Sequence, residues 1–398
     1  MIDFAKSERS TLGLEWELQL IDQDTLDLRQ CAEDVLAQVN EKYPGQSRMT
    51  KEMLLNTVEI NSSPRHRVSQ CLQDMREGIE MLQPILAPLR VRLATAGSHP
   101  FANPKYQRVT DSQRYAELVE RTQYWGRQML LFGTHVHVGI EDKNKVLPIL
   151  KFLLTKLGTM QALMASSPFW AGVDTGYCDN RAMVFQQLPT AGIPRQFDDW
   201  LQLEAYVSDI TKTGIIDTFD EVRWDIRPSP KFGTLEIRVA DAATNLVEVG
   251  AFTALVQCLV EWASRELDAG RHLAALQPWL VGENKWRAAR YGMDAILIED
   301  SNCTEQTIPE TLPALLATLE PVADDLSCLD ELMSWEGIVR DGVGYQRQRQ
   351  IQALHSNLES VVELMCQEFD ADRPLDPKNI KTAFKGDRNP GAKESKWS

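Results

Sequence analysis

The sequence predicts an α+β protein built on an antiparallel sheet with one chemically active face. Three observations predict it. First, residues 11–21 (TLGLEWELQLI) alternate: Leu12, Leu14, Trp16, Leu18 and Leu20 fall on one side, Gly13, Glu15, Glu17 and Gln19 on the other, the period of a strand with one apolar face. Second, the construction recurs in TVEIN (57–61), GTHVHVG (133–139), VRWDIR (222–227) and TLEIRV (234–239), where Glu, His, Arg or Asp oppose Val, Ile, Leu or Trp. Third, long stretches between these strands space their apolar residues as helices do. An antiparallel sheet can bury one face and leave the other open, but ordinary solvated faces collect Lys, Thr and Ser instead.

At 398 residues the chain is long enough for a large core, and its 43% hydrophobic and 25% charged composition is ordinary for a globular protein. The formal charge of −15, with no basic run, argues against a nucleic-acid partner, because phosphate contacts need clustered Lys and Arg. A local arginine group inside a cleft is compatible with that charge. Seven cysteines (31, 71, 178, 258, 303, 328 and 366) form no CxxC pair and are odd in number, which fits a reducing compartment. MIDFAKSERS lacks a leader's apolar core, and no run of about 18 uncharged apolar residues occurs. The expectation is a cytoplasmic protein without a membrane partner.

Taken in order, residues 31–41 read as a short helix ending at the Tyr43-Pro44-Gly45 turn, and 53–61 as the second strand, closed by Ser62-Ser63-Pro64. From 68 to about 93, Leu72, Met75, Ile79, Leu82, Ile85, Leu86 and Leu89 recur at helical spacing, with Pro84 and Pro88 as kinks or an early stop. The turn-rich segment AGSHPFANPKYQ holds His99; a helix over 114–128 then leads into a strand over 129–138. Residues 147–165 form another helix, stopped by Ser166-Ser167-Pro168, and 169–197 lose periodicity and read as a long ordered loop. Helix returns over 198–213, and VRWDIR and TLEIRV follow as a hairpin joined by PSPKFG. Further helices are expected over 246–267, 284–295, 308–319 and 354–369, and a disordered polar tail over 376–398. Because the charged strands spread from 11 to 241, one domain over 1–375 is expected.

Glu15 and Glu17 stand roughly 6.5–7 Å apart on one strand face, a spacing that suits two cations or the two ends of a metal–phosphate cluster. The bland alternative is a solvated acidic edge strand. Recurrence of Glu59, His135, His137, Glu236, Arg227 and Arg238 on the same kind of face favours a site. His135 and His137 could be a zinc pair, but zinc wants three or four N or S donors and no cysteine lies near. Beside several carboxylates, a hard oxygen-preferring ion, Mg2+ or Mn2+, fits better. Glutamates, a histidine and two or three arginines on one face are what phosphoryl transfer asks for. With no GxxxxGK[ST] loop, no GxGxxG after a strand and no kinase-type catalytic loop, a nucleotide would be held by metal and arginine.

GLEWEL, TVEIN, GSHPF, GTHVHVG, WDIRPSPKFGTLEIRV and WRAARYG resemble, in order and spacing, the signature blocks of carboxylate–amine ligases related to the second type of glutamate–cysteine ligase, in the glutamine synthetase superfamily. The likeness runs from about residue 10 to residue 370. It implies a glutamine synthetase-like catalytic fold: a curved antiparallel sheet of about six strands with helices packed around it. It further implies that Glu15, His135 and Glu236 gather one metal and that Glu17 and Glu59 hold another. Arg238 would lie against the phosphates of ATP and, with Arg227, act in catalysis. Arg181, His99 and His137 are the substrate-binding candidates, although a histidine in a loop like that of His99 is more often structural. Trp16 departs from the residue often seen between the two glutamates, but it falls on the core face.

The implied reaction is ATP-dependent amide formation through an acyl phosphate: glutamate and an amine such as cysteine would give γ-glutamylcysteine, ADP and phosphate, a step of glutathione biosynthesis. A different amine or carboxylate on the same machinery is the nearest alternative, and a homodimer is an expectation that rests on the resemblance alone. Two further readings compete. A metal-dependent hydrolase on the same face would turn over without ATP; a regulatory protein on an inactive ligase scaffold would have lost some of the metal ligands, and none is lost.

Overall fold

A computed structural model describes residues 2–382. Its centre is a seven-stranded antiparallel sheet made of β1 (Leu12–Asp22), β2 (Met49–Lys51), β3 (Thr57–Asn61), β4 (Val91–Ala94), β5 (Thr134–Gly139) and a hairpin of two strands, Ile226–Ser229 and Thr234–Ile237. β1 runs through the middle. β5 and then β4 lie along one of its edges, β5 connecting it to the hairpin, while β3 takes the other edge and β2 lies outside β3.

The predicted period holds along β1. Leu12, Leu14, Trp16, Leu18 and Leu20 are all buried, each contributing on the order of 1.5–3 kcal/mol by leaving water. α2 (Val68–Leu86) packs on β1 and β3, α8 (Leu246–Asp268) on β5 and α13 (Glu359–Ala371) on β4. Trp16 donates its indole N–H to the Ala243 carbonyl at 3.1 Å and packs on Phe369 of α13, ring centres 5.4 Å apart. α8 is long and apolar enough to cross a membrane, as is the bent pair α4 (Lys143–Thr155) and α5 (Leu157–Met164) taken together, but α8 lies mostly buried between other helices, as a core helix does.

Several expectations are corrected. The sheet's seven strands agree with the expected count of about six, and β2 and β4 are the ones too short to show a period. The second strand begins at Thr57, not at 53, since 53–56 turn between β2 and β3. α2 stops at Leu86; Arg90 takes a left-handed φ of +55°, reversing the chain into β4 where helix was expected to 93. α3 (Gln113–Thr122) ends before a separate short turn at Gly126–Gln128, and β5 starts at Thr134, not 129. The helix expected over 147–165 is α4 and α5, bent by 59° at Lys156. Residues 169–197 are no plain loop: they contain short paired strands and α6 (Asn180–Phe185). α1 (Ala32–Lys42), α7 (Trp200–Lys212) and α8 fall where expected. α9 (Pro278–Tyr291) starts earlier than predicted and α10 (Ile308–Asp325) ends later. α11 (Leu329–Asp341) and α12 (Gly344–His355) were not anticipated as separate helices before α13. Of the stretch expected as a tail, residues 376–382 are described: Pro377–Asn379 form a helical turn, Ile380 is buried, and Gln367 bonds both backbone groups of Lys381. Residues 383–398 lie outside the described residues.

Candidate active site

Strand register brings the polar residues together. Glu15 stands opposite His135 on β5 and Asn61 on β3, Glu17 opposite Glu59, and Glu236 opposite both His137 and Arg227. Directly opposed residues hold their Cβ atoms about 4.5–5.5 Å apart, so β1, β3, β5 and the hairpin deliver these groups to one face.

Glu15, His135 and Glu236 offer ligand atoms within 4.8 Å of one another. His135 Nδ1 lies 3.0 Å from Glu15 Oε2, and His137 Nε2 lies 3.2 Å from Glu15 Oε1. Glu236 accepts from Arg227 Nε at 2.6 Å and from Arg238 Nη1. Arg181 Nη2 sits 3.3 Å from His135 Nε2; because arginine only donates, Nε2 accepts and the ring proton is assigned to Nδ1, facing Glu15. Burial opposes ionising Glu15, yet its two histidines hold it well below the usual carboxylate range. Burial also opposes ionising Glu236, but Arg238, His137 and Arg227 overcome it and hold it well below the ordinary range. Burial, then the Arg238 charge, push His135 down to about 4, so the ring is neutral, as a metal ligand must be. His137 goes the other way: burial lowers it, but Glu236 and Glu15 raise it further.

A second cluster, Glu17, Glu52 and Glu59, also gathers ligand atoms within 4.8 Å. Glu17 Oε2 accepts from Gly133 N at 2.6 Å, and Glu59 Oε1 from Thr50 Oγ1 at 2.8 Å and Asn61 Nδ2 at 3.0 Å. Burial pushes Glu17 up to about 7 despite the pull of Arg181; burial and the neighbouring carboxylates raise Glu52 and Glu59. Three carboxylates short of positive charge form a donor set that suits a hard divalent ion.

Glu15 and His135 of the first cluster and all three acids of the second line a cleft of about 240 Å³ together with Arg181, Arg223, Arg227 and Arg238, with Glu236 buried beneath its arginines; the cleft adjoins a wider cavity of about 830 Å³ through Leu118, Asp220 and Arg223. Arg181 comes from the start of α6 and reaches His135 across Gly133, where a Cβ would stand 2.4 Å from Arg181 Nη2 and 2.8 Å from His135 Nε2. Arg181 Nη1 also donates to the Arg238 carbonyl at 3.1 Å.

The structure thus assembles Glu15, Glu17, Glu59, His135, Glu236, Arg181, Arg227 and Arg238. His137 shares the face but looks onto a neighbouring cavity of about 340 Å³, with Nδ1 3.0 Å from Thr234 Oγ1 and the Phe232 ring edge-on at 5.9 Å. His99 is not brought to the site: its Nε2 bonds the Leu26 carbonyl at 3.0 Å and its Nδ1 accepts from Phe101 N and Ala102 N, so both nitrogens organise backbone. Asp225, expected beside Arg227, instead pairs with buried Lys285 of α9 at 2.6 Å, because the chain bends between Trp224 and Ile226. Glu52 was missed. Its place follows from Thr50 of β2, which stands opposite Glu59, with Glu52 two residues on, just past the strand's end.

The description of glutamate–cysteine ligase family 2 fits residues 11–367. A protein of Mycobacterium tuberculosis (strain ATCC 25618 / H37Rv), provisionally named glutamate–cysteine ligase 2, is 50% identical over 369 residues, 92% of this chain and 97% of that one. Its namesake in Mycobacterium ulcerans (strain Agy99) is 49% identical over 370 residues, 93% of each chain. Among solved structures, the glutamate–cysteine ligase of Francisella tularensis in complex with AMP matches with a TM-score of 0.64 at 13% identity, over 92% of this chain and 90% of that one. The bifunctional glutathione synthetase of Pasteurella multocida matches with a TM-score of 0.60 at 14% identity, over 91% and 52%. These structures speak for the fold, a mixed ligase architecture of helices on an antiparallel sheet. With the family pattern spanning most of its length and half its residues shared with relatives of equal length, the chain belongs to glutamate–cysteine ligase family 2 and is a ligase.

Proposed function

We propose that the chain couples ATP cleavage to joining the γ-carboxylate of glutamate to an amine, cysteine first among the candidates, by way of an acyl phosphate. One observation carries this reading: two carboxylate-rich clusters meet at one cleft that four arginines also line. The names of the relatives point to the same pair of substrates.

The donor sets fit two hard divalent ions, Mg2+ or Mn2+, with Glu15, His135 and Glu236 holding one and Glu17, Glu52 and Glu59 the other. Such ions, when bound, supply charge neutralisation and orientation at phosphate oxygens. Arg227 and Arg238 are anchored through Glu236, so their remaining N–H groups are fixed in the cleft and face charge that develops on a transferred phosphoryl group. Arg181, held over Gly133, presents its guanidinium to the carboxylate of glutamate or to phosphate. Neutral His135 keeps its proton on Nδ1 while ligands are absent, and must turn that proton or its partner Glu15 away to coordinate. No side chain is needed as a covalent nucleophile.

The test is oxygen transfer. Glutamate labelled with ¹⁸O in its γ-carboxylate should pass label to inorganic phosphate when ATP and a competent amine are present. A water-activating hydrolase would draw that oxygen from solvent, and label retained wholly in glutamate while phosphate is released would refute the ligase mechanism. A screen of amines reading out ADP then names the acceptor.

A further inference from the structure

Behind Arg181 lies a buried pair of carboxyl groups that the proposed reaction does not use. Asp179 and Asp241 are 0% and 1% exposed, and their carboxyls are in hydrogen-bond contact. Asp241 Oδ2 accepts from Ser166 N at 2.8 Å and from Ser167 Oγ at 2.7 Å. Its Oδ1 is buried, and no N–H or O–H among the described residues reaches it. Asp179 is supplied on both oxygens: Oδ1 accepts from Ala182 N at 2.8 Å and Oδ2 from Gln161 Nε2 at 2.9 Å. Two carboxylates in contact and out of water cannot both stay ionised, and an orphaned buried oxygen is costly. One proton on Asp241 Oδ1, directed at Asp179, removes both difficulties.

What the pair holds is Arg181. Ser167 Oγ, which donates to Asp241, accepts in turn from Arg181 N at 3.2 Å. Asp179 caps α6, the helix that carries Arg181. The backbone of Asp241 bridges to Gly133, the residue the guanidinium crosses. Gly97 closes the other side: a Cβ there would stand 2.2 Å from Asp241 Cγ. The surroundings are otherwise neutral. α5 contributes Gln161, the turn after it Ser166 and Ser167, α9 the Ala289 carbonyl that accepts from Asp179 N, and α12 Gln348, which bonds the Ser166 carbonyl. Arg181 is the charge that acts on both acids.

We propose that Asp241 is held as a neutral acid donating to the Asp179 carboxylate, and that this shared proton fixes Arg181 in the cleft. Asp241 is then a positioning residue, acting through Arg181. Burial first, and Asp179 second, push the Asp241 carboxyl well above the ordinary range, in keeping with that assignment.

Asp241→Asn tests it, because an amide reproduces the protonated acid: its NH2 donates to Asp179 and its carbonyl oxygen still accepts from Ser166 and Ser167. The full-length variant folds, keeps KM for glutamate within about twofold of wild type, and loses less melting temperature than wild type between about pH 6 and about pH 9, since it has no buried proton to give up. Asp179→Asn replaces one accepting oxygen by an NH2, which opposes either the Asp241 proton and Gln161 or Ala182 N, and raises KM at least about tenfold. Independently of turnover, an infrared difference spectrum of wild type minus Asp241→Asn at about pH 8 shows the carbonyl stretch of a protonated carboxylic acid. The kinetic arm rests on the proposed ligase reading and the infrared arm does not, so the two fail separately. An Asp241→Asn protein that misfolds, an Asp241→Asn loss as large as that of Asp179→Asn, or a spectrum without the acid band overturns the proposal.

Discussion

The two carboxylate clusters differ in how they meet their own charge. In the first, Glu236 lies between Arg227 and Arg238, and Glu15 between His135 and His137, so both acids are stabilised as anions before any ion arrives. In the second, Glu17, Glu52 and Glu59 crowd together, the backbone N–H of Gly133 and the side chains of Thr50 and Asn61 donate to them, and their acidities move the opposite way. One cluster is an internally neutralised scaffold for arginines; the other is a group of like charges with the donor set to take a cation. The same residue type, on the same sheet face, has been given two tasks by its neighbours alone.

The largest expected effect tests the neutralised cluster. Glu236→Gln removes the anion between two mostly buried guanidiniums, so ADP release falls about 10²–10³-fold and urea unfolding shows a loss of about 3–5 kcal/mol. Near wild-type ADP release would take Glu236 out of the site. Glu52→Gln should break the symmetry: Mn2+ affinity falls about 10–100-fold, while the chelated protein becomes more stable, because like charges no longer repel. Calorimetry in chelator that shows both variants destabilised would erase the distinction between the clusters.

Gly133 joins the two, its N–H on Glu17 and its missing side chain making room for Arg181 beside His135. Gly133→Ala displaces the guanidinium, raising KM for glutamate about tenfold with a smaller change in kcat; an unchanged KM would detach Arg181 from substrate binding. The smallest effect is on pH dependence. Glu17, raised from 4.5 to about 7, binds its proton more tightly when folded, so the stability this confers is complete below the ordinary carboxyl value and is lost as pH rises through about 7. Chelated protein should therefore melt a few degrees lower at about pH 8 than at about pH 6, and Mn2+ should flatten that slope. Glu15 and Glu236 have the reverse sign: their contribution is present above ordinary carboxyl values and is lost only on acidification.

The neutralised cluster was legible in the sequence because its members sit on long or sharply alternating strands, where a period of two assigns every side chain a face. Glu52 escaped because β2 is three residues long and no alternation survives the turn at 53–56. β4 was hidden for a similar reason, its Val91 and Leu93 blending into the apolar spacing of α2 until Arg90 reverses the chain. His99 read as a candidate through the resemblance of GSHPF, although its turn-rich loop spoke for a structural role, and the structure shows its two nitrogens consumed by backbone. Asp225 was misplaced by extending a strand period through a bend. The pairing of Asp179 with Asp241 joins residues from a stretch read as loop to one beyond the last strand, a proximity that no local pattern encodes.

Trp16 lies between two acids of the site and packs on Phe369, far along the chain. During synthesis every strand of the sheet leaves the ribosome before α8 begins at Leu246, and the aromatic partner of Trp16 comes last of all. At about 5–20 residues per second, α2 is already available, but the parts of the apolar side that α8 and α13 cover wait several seconds for those helices. The nascent chain is therefore at its most adhesive when its polar face is already complete, and a product truncated before Phe369 would be a client for chaperones or proteases even with all its metal-ligand candidates made.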